Sequence, residues 1–174
     1  KLRSFTKEEL MEIFDKVPGT LLYIASAACE GHPESLNAIS TKLENFTKEE
    51  LKAIFQASPG ILNNIAYAAC EGHPDALNAI SQELAKFDKD ELNAIFQRSP
   101  HTLTVIAIAA VNGHPEALNA ISQELAKFDK DELKGILGTG DTLAFIAFAA
   151  AKGHPGALNA ISTKLRSFTK EELK

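Results

Sequence analysis

Residues 46–86 read FTKEELKAIFQASPGILNNIAYAACEGHPDALNAISQELAK, and this stretch carries the start and stop signals of three short helices. Thr47 is a good N-cap residue, and Glu50 completes a capping box three positions later, so the first helix begins here. Pro59 fits the first turn of a helix but not its interior, so it ends the first helix and starts the second. Gly72 is a natural C-cap and ends the second helix.

The third helix begins at the sequence His73-Pro74-Asp75 and runs to about Phe87. All three segments carry apolar residues at the spacing of one helix face, whereas no segment shows the alternation of a strand. These apolar residues are the predicted core of the stretch: Leu51, Ile54, Phe55, Leu62, Ile65, Leu77, Ile80 and Leu84. The pattern predicts an all-α protein.

The same pattern recurs along the whole chain. A phenylalanine opens each copy at steps of 41, 41, 41 and 40 residues, and a Gly-His-Pro triplet recurs with the same period. The opening residues are Phe5, Phe46, Phe87, Phe128 and Phe168, and the triplets begin at Gly31, Gly72, Gly113 and Gly153. We therefore read residues 1–174 as one repeat domain with units 5–45, 46–86, 87–127 and 128–167 and a partial unit 168–174.

The ends of the chain repeat each other, since Lys1–Leu10 returns unchanged as Lys164–Leu173. The chain starts and stops within a unit and lacks an initiator methionine, which is typical of an engineered array or of a processed natural fragment. Helices this short are marginal alone, so each unit must bury its apolar face against the next. We predict a right-handed α-solenoid of four three-helix repeats plus a partial terminal repeat.

The second helix of each unit combines constant residues with variable ones. The variable positions follow the spacing i, i+1, i+4, i+7 and i+8, which places them on one helix face. The i+7 positions are Cys29, Cys70, Val111 and Ala151, and the other four positions of each unit make up the stripe defined below. Repeat proteins bind partners through such variable faces on a constant scaffold. We call the following residues the variable stripe and predict that they bind a ligand: Leu22, Tyr23, Ser26, Glu30, Asn63, Asn64, Tyr67, Glu71, Thr104, Val105, Ile108, Asn112, Ala144, Phe145, Phe148 and Lys152.

Three interpretations of the variable stripe stay open. It binds a partner, it collects sequence differences at exposed positions, or its aromatic members pack between units. Aromatic residues favour binding, because exposed rings are a poor choice for a purely solvated face. The third helices add pairs whose asparagines either hold the backbone of a bound peptide or cross-link adjacent repeats through loop carbonyls, which would saturate hydrogen bonds inside the scaffold. These pairs are Asn37 with Ser40, Asn78 with Ser81, Asn119 with Ser122 and Asn159 with Ser162.

The period and punctuation resemble the armadillo or HEAT-like repeat, and the armadillo unit has about 42 residues and three helices. Asp88–Phe96 looks like the second armadillo helix, Ser99-Pro100 like the break, and Leu103–Asn112 like the third helix. In that family the third helix lines a groove for extended peptides, partly through a Trp and an Asn. The matching positions are Ser26, Tyr67, Ile108 and Phe148 for the Trp, and Glu30, Glu71, Asn112 and Lys152 for the Asn. The resemblance implies a scaffold for protein–protein interaction.

Two shorter resemblances point to nucleic acids. The segment from Phe46 to Phe55 with Pro59 after it is similar to the mitochondrial transcription termination factor repeat. The variable pair before each constant glycine resembles the base-contacting pair of TAL-effector repeats: Cys29-Glu30, Cys70-Glu71, Val111-Asn112 and Ala151-Lys152. A modular nucleic-acid-binding protein is therefore an alternative. However, the chain has 18 basic and 23 acidic residues. Binding to phosphates usually needs a stripe of basic residues.

The sequence shows no pattern of catalytic or cofactor chemistry. His32, His73, His114 and His154 recur once per unit, about 10 Å apart if the helices pack normally, too far for one zinc ion. We read them as turn or capping residues. Gly138-Thr139-Gly140 lacks the lysine and the strand of a phosphate loop. We predict no enzyme, no metal and no cofactor.

Composition and cysteines indicate the setting. The chain is 45% hydrophobic and 24% charged, which suits a globular domain. No apolar run reaches the ~18 residues of a membrane span, and no signal peptide is visible. Cys29 and Cys70 lie too far apart for a disulfide, which fits a reducing compartment. We expect an intracellular, cytoplasmic protein with a protein or peptide partner and no membrane, and head-to-tail self-association is a further alternative.

Overall fold

A computed structural model describes residues 4–58, 60–137, 141–154 and 156–159. Within these residues the regular structure is helical and no strand occurs, which confirms the all-α prediction. The helices are α1 (Lys7–Lys16), α2 (Thr20–Cys29), α3 (Glu34–Leu43), α4 (Lys48–Ala57), α5 (Ile61–Cys70), α6 (Asp75–Ala85), α7 (Lys89–Arg98), α8 (Thr102–Val111), α9 (Glu116–Ala120), α10 (Ser122–Ala126), α11 (Lys130–Leu137), α12 (Thr142–Ala151) and α13 (Gly156–Asn159). Ser162 and the predicted partial unit 168–174 lie outside the described residues.

Capping boxes start the first helices of the units, as predicted. In α4 the backbone N–H of Glu50 donates to Thr47 Oγ1 at 3.3 Å, and the backbone N–H of Thr47 donates to Glu50 Oε2 at 2.7 Å. The same reciprocal pair forms at the starts of α1 and α7, with Asp88 as the N-cap of α7. Each box satisfies two backbone donors that helix geometry would otherwise leave unpaired.

A left-handed glycine ends each second helix. Gly72 has φ +100°, a conformation that costs a glycine little because it has no Cβ. The backbone N–H of His73 donates to the carbonyl of Ala68 at 2.9 Å, and that of Gly72 donates to Ala69 at 3.2 Å. This is the hydrogen-bond pattern of a Schellman turn. It redirects the chain into the third helix.

Equivalent helices of successive units contact each other in chain order. The second helices α2, α5, α8 and α12 pack side by side, and so do the third helices α3, α6, α9 and α13. Alanines allow the second helices to approach closely, since Ala25, Ala66 and Ala107 are fully buried. All the predicted core residues of 46–86 are buried, and they belong to one apolar cluster that extends across the units.

Ring pairs join each first helix to the opening residue of the next unit. Phe55 contacts Phe87 with ring centroids 5.9 Å apart and planes at 65°. Similar pairs join Phe14 to Phe46 and Phe96 to Phe128. Edge-on and tilted geometries of this kind add to the burial of the rings. Phe46, Phe87 and Phe128 are therefore structural, since each is buried and packs on a ring of the preceding unit.

The third helix of unit three departs from the prediction of one continuous helix. Ile121 has φ −113° and ψ 9°, and it separates α9 from α10. In unit two, α6 runs unbroken past the equivalent Ile80. The local sequence is the same in both units, so the break depends on the surroundings of unit three.

Candidate binding surface

Aromatic members of the variable stripe are exposed. Tyr23, Tyr67 and Phe148 are 70%, 46% and 52% exposed, and the fourth exposed large apolar residue in the described chain is Val17. Tyr67 lies in an interior unit, where α2 and α8 both pack against its helix. The ring of Tyr67 therefore stays exposed although both neighbouring second helices pack on α5.

The last stripe position of each unit is also exposed. This position is the C-cap residue immediately before the left-handed glycine, and it is occupied by Glu30, Glu71, Asn112 and Lys152. Because the chain turns away at the glycine, the C-cap side chain is left at the helix end. The structure thus places a variable, solvent-facing side chain at the same point of every unit.

Val105 does not belong to the exposed surface. It is only 3% exposed, whereas the equivalent Tyr23 in unit one is 70% exposed and Asn64 is half-buried. The side chain of Val105 packs into the apolar cluster between units. Leu22, Asn63, Thr104 and Phe145 are half-buried, and Ala144 is exposed. The helical spacing identified a face, but part of that face is turned toward a neighbouring helix.

Polar stripe residues link neighbouring units by hydrogen bonds. Asn64 Nδ2 donates to Ser26 Oγ at 2.8 Å, and the hydroxyls of Thr104 and Thr142 are hydrogen bonded at 2.9 Å. Asn112 Nδ2 lies 3.3 Å from Cys70 Sγ, which it donates to. Each of these bonds joins second helices of adjacent units. The stripe therefore links units through several of its polar residues, and its exposed rings and carboxylates face solvent.

For the variable stripe, the sequence predicted packing between units only by aromatic residues, and these polar links were not predicted. The signal lay in Asn, Ser and Thr residues 38 positions apart on neighbouring second helices, Ser26 with Asn64 and Thr104 with Thr142. It is a weak signal, because such residues are also typical of any solvated helix face.

Charged residues outside the stripe are paired along the first helices. Lys7 Nζ lies 2.8 Å from Glu50, Lys48 Nζ lies 3.0 Å from Glu91, and Lys89 contacts Glu132 in the same way. Each pair joins the start of one first helix to the capping box of the next. Hydrogen bonds from Lys48, from the Asp88 backbone and from Lys52 lower the pKa of Glu91 to about 2.

The cysteines lie beside the acidic end of the stripe. Both are free thiols, and burial raises the pKa of each. Glu71 and Glu30 raise the pKa of Cys29 further, and Glu71 raises that of Cys70. A low-pKa nucleophile needs the opposite environment.

In three of the asparagine–serine pairs, the hydrogen bond that joins the two residues lies within one third helix. The serine hydroxyl donates to the carbonyl of the asparagine three residues earlier, at 3.1 Å for Ser81 and Asn78. The same bond forms between Ser122 and Asn119 and between Ser40 and Asn37. The asparagine side chains are exposed.

Histidines pack on the turns of the preceding unit. The Nε2 atom of His114 lies 3.7 Å from the position that a Cβ would take on Gly72, and His154 stands in the same relation to Gly113. Across the described residues no three His, Cys, Asp or Glu side chains are grouped to hold a metal ion. His32, His73, His114 and His154 accompany the turns that end the second helices.

A separate cleft of about 390 Å³ lies between α7, α11 and the start of α8. Asn93, Phe96, Gln97 and Glu132 line it, and no residue of the variable stripe does. The segment Gly138-Thr139-Gly140 lies outside the described residues. The cleft is therefore not continuous with the stripe.

Comparison of the chain with protein families, with curated proteins and with solved structures finds no match. Among the described residues, no single helix has both the length and the apolarity to cross a membrane. Taken together, α11 and α12 meet these criteria, but they are bent by 88°.

Proposed function

We propose that this chain is a non-enzymatic α-solenoid of armadillo-like repeats that binds a protein or an extended peptide along the variable stripe. One observation carries the proposal. Of the four large apolar side chains that are exposed in the described residues, Tyr23, Tyr67 and Phe148 belong to the stripe and only Val17 does not. Exposed apolar side chains concentrated on one surface are typical of an interaction site.

The chemistry of these rings supports the proposal. Tyrosine is enriched among binding hot spots, because it offers a large rigid apolar area together with a hydroxyl. Tyr67 and the half-buried Ile108 occupy the same position in adjacent second helices, and Phe148 follows in the next. A partner that lies across α5, α8 and α12 meets one of these side chains in each unit.

The order of helix contacts supports the solenoid arrangement. Second helices contact second helices and third helices contact third helices, from one end of the described chain to the other. Such stacking leaves a continuous face that repeats from unit to unit. The charges disfavour the nucleic-acid alternative, because Glu30 and Glu71 would repel a phosphate backbone.

The test is selection of peptides from a displayed library of random twelve-residue sequences. A selected peptide, labelled with fluorescein, is then titrated against the chain by fluorescence anisotropy. The triple variant Tyr23→Ser, Tyr67→Ser, Phe148→Ser should weaken binding by tenfold or more, since hot-spot truncations cost about 2 kcal/mol or more. Circular dichroism should show that the variant keeps its helix content.

Val17→Ser is the matched control, because among the described residues Val17 is the one exposed large apolar residue outside the stripe. Serine already occupies the equivalent positions, Ser58 and Ser99. The control should bind like the unmodified chain. Equal binding by the triple variant, or no peptide enriched over an empty surface, would contradict the proposal. Gel shifts with random DNA and RNA at low salt then decide whether the nucleic-acid alternative replaces it.

A further inference from the structure

The C-cap residues of the second helices form a charge series along the variable stripe. Glu30 and Glu71 are acidic, Asn112 is neutral and Lys152 is basic. All four are exposed and occupy the same position before a left-handed glycine. The surface therefore changes from negative in units one and two to positive in unit four.

The positions of Glu30 and Glu71 do not stabilise the fold. The C-terminal end of a helix carries partial negative charge, so Glu30 and Glu71 are repelled by their own helices, whereas Lys152 is attracted. No salt bridge of either carboxylate occurs within the described residues, in contrast to Glu50 and Glu91, which pair with lysines of the preceding unit. A partner that supplies positive charge would account for both carboxylates.

The two carboxylates act on one region of the surface. Both carboxylates act on Cys29, which directly precedes Glu30 in the chain: after burial, the causes of its raised pKa are Glu71 and then Glu30. In the next unit, the 3.3 Å bond from Asn112 to Cys70 ties the ends of α5 and α8 together. Neighbouring C-caps are therefore close enough for one ligand to meet several of them.

Exposed aromatic rings lie beside two of these charged C-cap residues. Tyr67 precedes Glu71 by one helical turn, and Phe148 precedes Lys152 in the same way. Lys152 Nζ lies 5.0 Å from the centroid of Phe148, so the cation rests against the ring and both face solvent. A ligand thus meets an apolar and a charged group in each of these units.

We infer that the partner is an extended peptide with basic side chains over units one and two, apolar side chains over the rings, and an acidic side chain over unit four. This inference rests on the proposed function. Packed helices lie about 8–10 Å apart and an extended chain advances about 3.3 Å per residue, so one unit spans about three peptide residues. The peptide should carry two basic residues about three positions apart and an acidic residue about six positions further, in either chain direction.

The test is the composition of library peptides selected at low salt on the unmodified chain and on the Glu30→Lys, Glu71→Lys variant. The unmodified chain should enrich the basic, apolar and acidic pattern, and the variant should replace the two basic positions by acidic ones. In anisotropy titrations, neutralising one basic residue of a selected peptide should weaken binding about two- to fivefold, the range of exposed ion pairs. On binding to Glu71→Gln, one of the two basic positions, the one opposite residue 71, should lose this effect while the other keeps it.

Asp15→Asn is the control, since Asp15 is an exposed acidic residue of α1 outside the stripe, and it should leave the selected pattern unchanged. If both the unmodified chain and the charge variant select peptides of the same charge, the inference is wrong and the proposed function stands. If neither chain selects any peptide, the proposed function itself is wrong.

Discussion

The hydroxyl of Thr102 donates a 2.6 Å hydrogen bond to Oδ1 of Asn63, which lies 39 residues earlier on the neighbouring second helix. Thr102 is only 2% exposed, so water does not easily replace Asn63 as its acceptor. Asn63 is one of the variable residues. Variation along the second helix therefore changes how units join as well as which surface they present.

Asn63→Ala should destabilise the fold by about 1–2 kcal/mol, because it leaves the buried hydroxyl of Thr102 without its acceptor. Asn78→Ala is the matched control, since it makes the same change at an exposed helical position. Urea unfolding followed by circular dichroism measures both. Equal effects of the two substitutions would show that the bond between Thr102 and Asn63 adds no stability.

Ionisation of Glu83 and Glu124 should lower the free energy of unfolding at neutral pH. Each is buried, each has one carboxylate oxygen without a hydrogen-bond partner, and burial raises the pKa of both above the ordinary 4.5. The folded state then holds the proton more tightly than the unfolded state, so stability falls as pH rises from 4.5 through the raised pKa and stays low above it. The two carboxyl groups should therefore be least unfavourable to the folded state below pH 4.5.

Glu83→Met should therefore stabilise the chain at pH 7 by about 1 kcal/mol, since it removes an unsatisfied buried polar atom. It should also flatten the dependence of stability on pH above 4.5. Gln82→Met, a change at an exposed neighbour on the same helix, is the control. Thermal unfolding between pH 4 and 8 measures the effect, and a loss of stability at pH 7 would show that Glu83 makes a favourable contact.

In contrast to Glu83→Met, Glu91→Gln should destabilise the chain at pH 7. The pKa of Glu91 is lowered from 4.5 to about 2, so its ion pairs stabilise the fold above pH 4.5 and are lost as pH falls toward 2. The variant should be less stable than the unmodified chain at pH 7, and the difference should shrink as pH falls from 4.5 toward 2 and also in high salt. Glu49→Gln, an exposed change in the first turn of α4, is the control.

Two glycine substitutions should have opposite signs. Gly72→Ala places an alanine at a position with left-handed backbone dihedral angles, which costs about 1–2 kcal/mol of stability. Gly135→Ala lies within α11, where a Cβ meets no atom within 4 Å, and should stabilise by up to about 1 kcal/mol. Denaturant midpoints measure both. Stabilisation by Gly72→Ala would mean that the turn relaxes without cost.

The sequence predicted the position of the candidate site because helical spacing depends only on the geometry of one helix. It placed Tyr67 and Glu71 on one face, and the structure leaves both exposed. It did not separate exposed from linking residues. Whether Asn63 faces solvent or Thr102 depends on the distance and rotation between two helices, which residue spacing does not encode.

By itself, the sequence determined the capping boxes, the left-handed turn at Gly72 and the apolar core face, because these depend on contacts within a few residues of the chain. The tertiary structure alone decided that Val105 is buried while the equivalent Tyr23 is exposed. It also decided that Leu118–Leu133 breaks at Ile121 although the identical Leu77–Leu92 is continuous at Ile80. Identical local sequences have identical local preferences, so the difference comes from the units packed on either side.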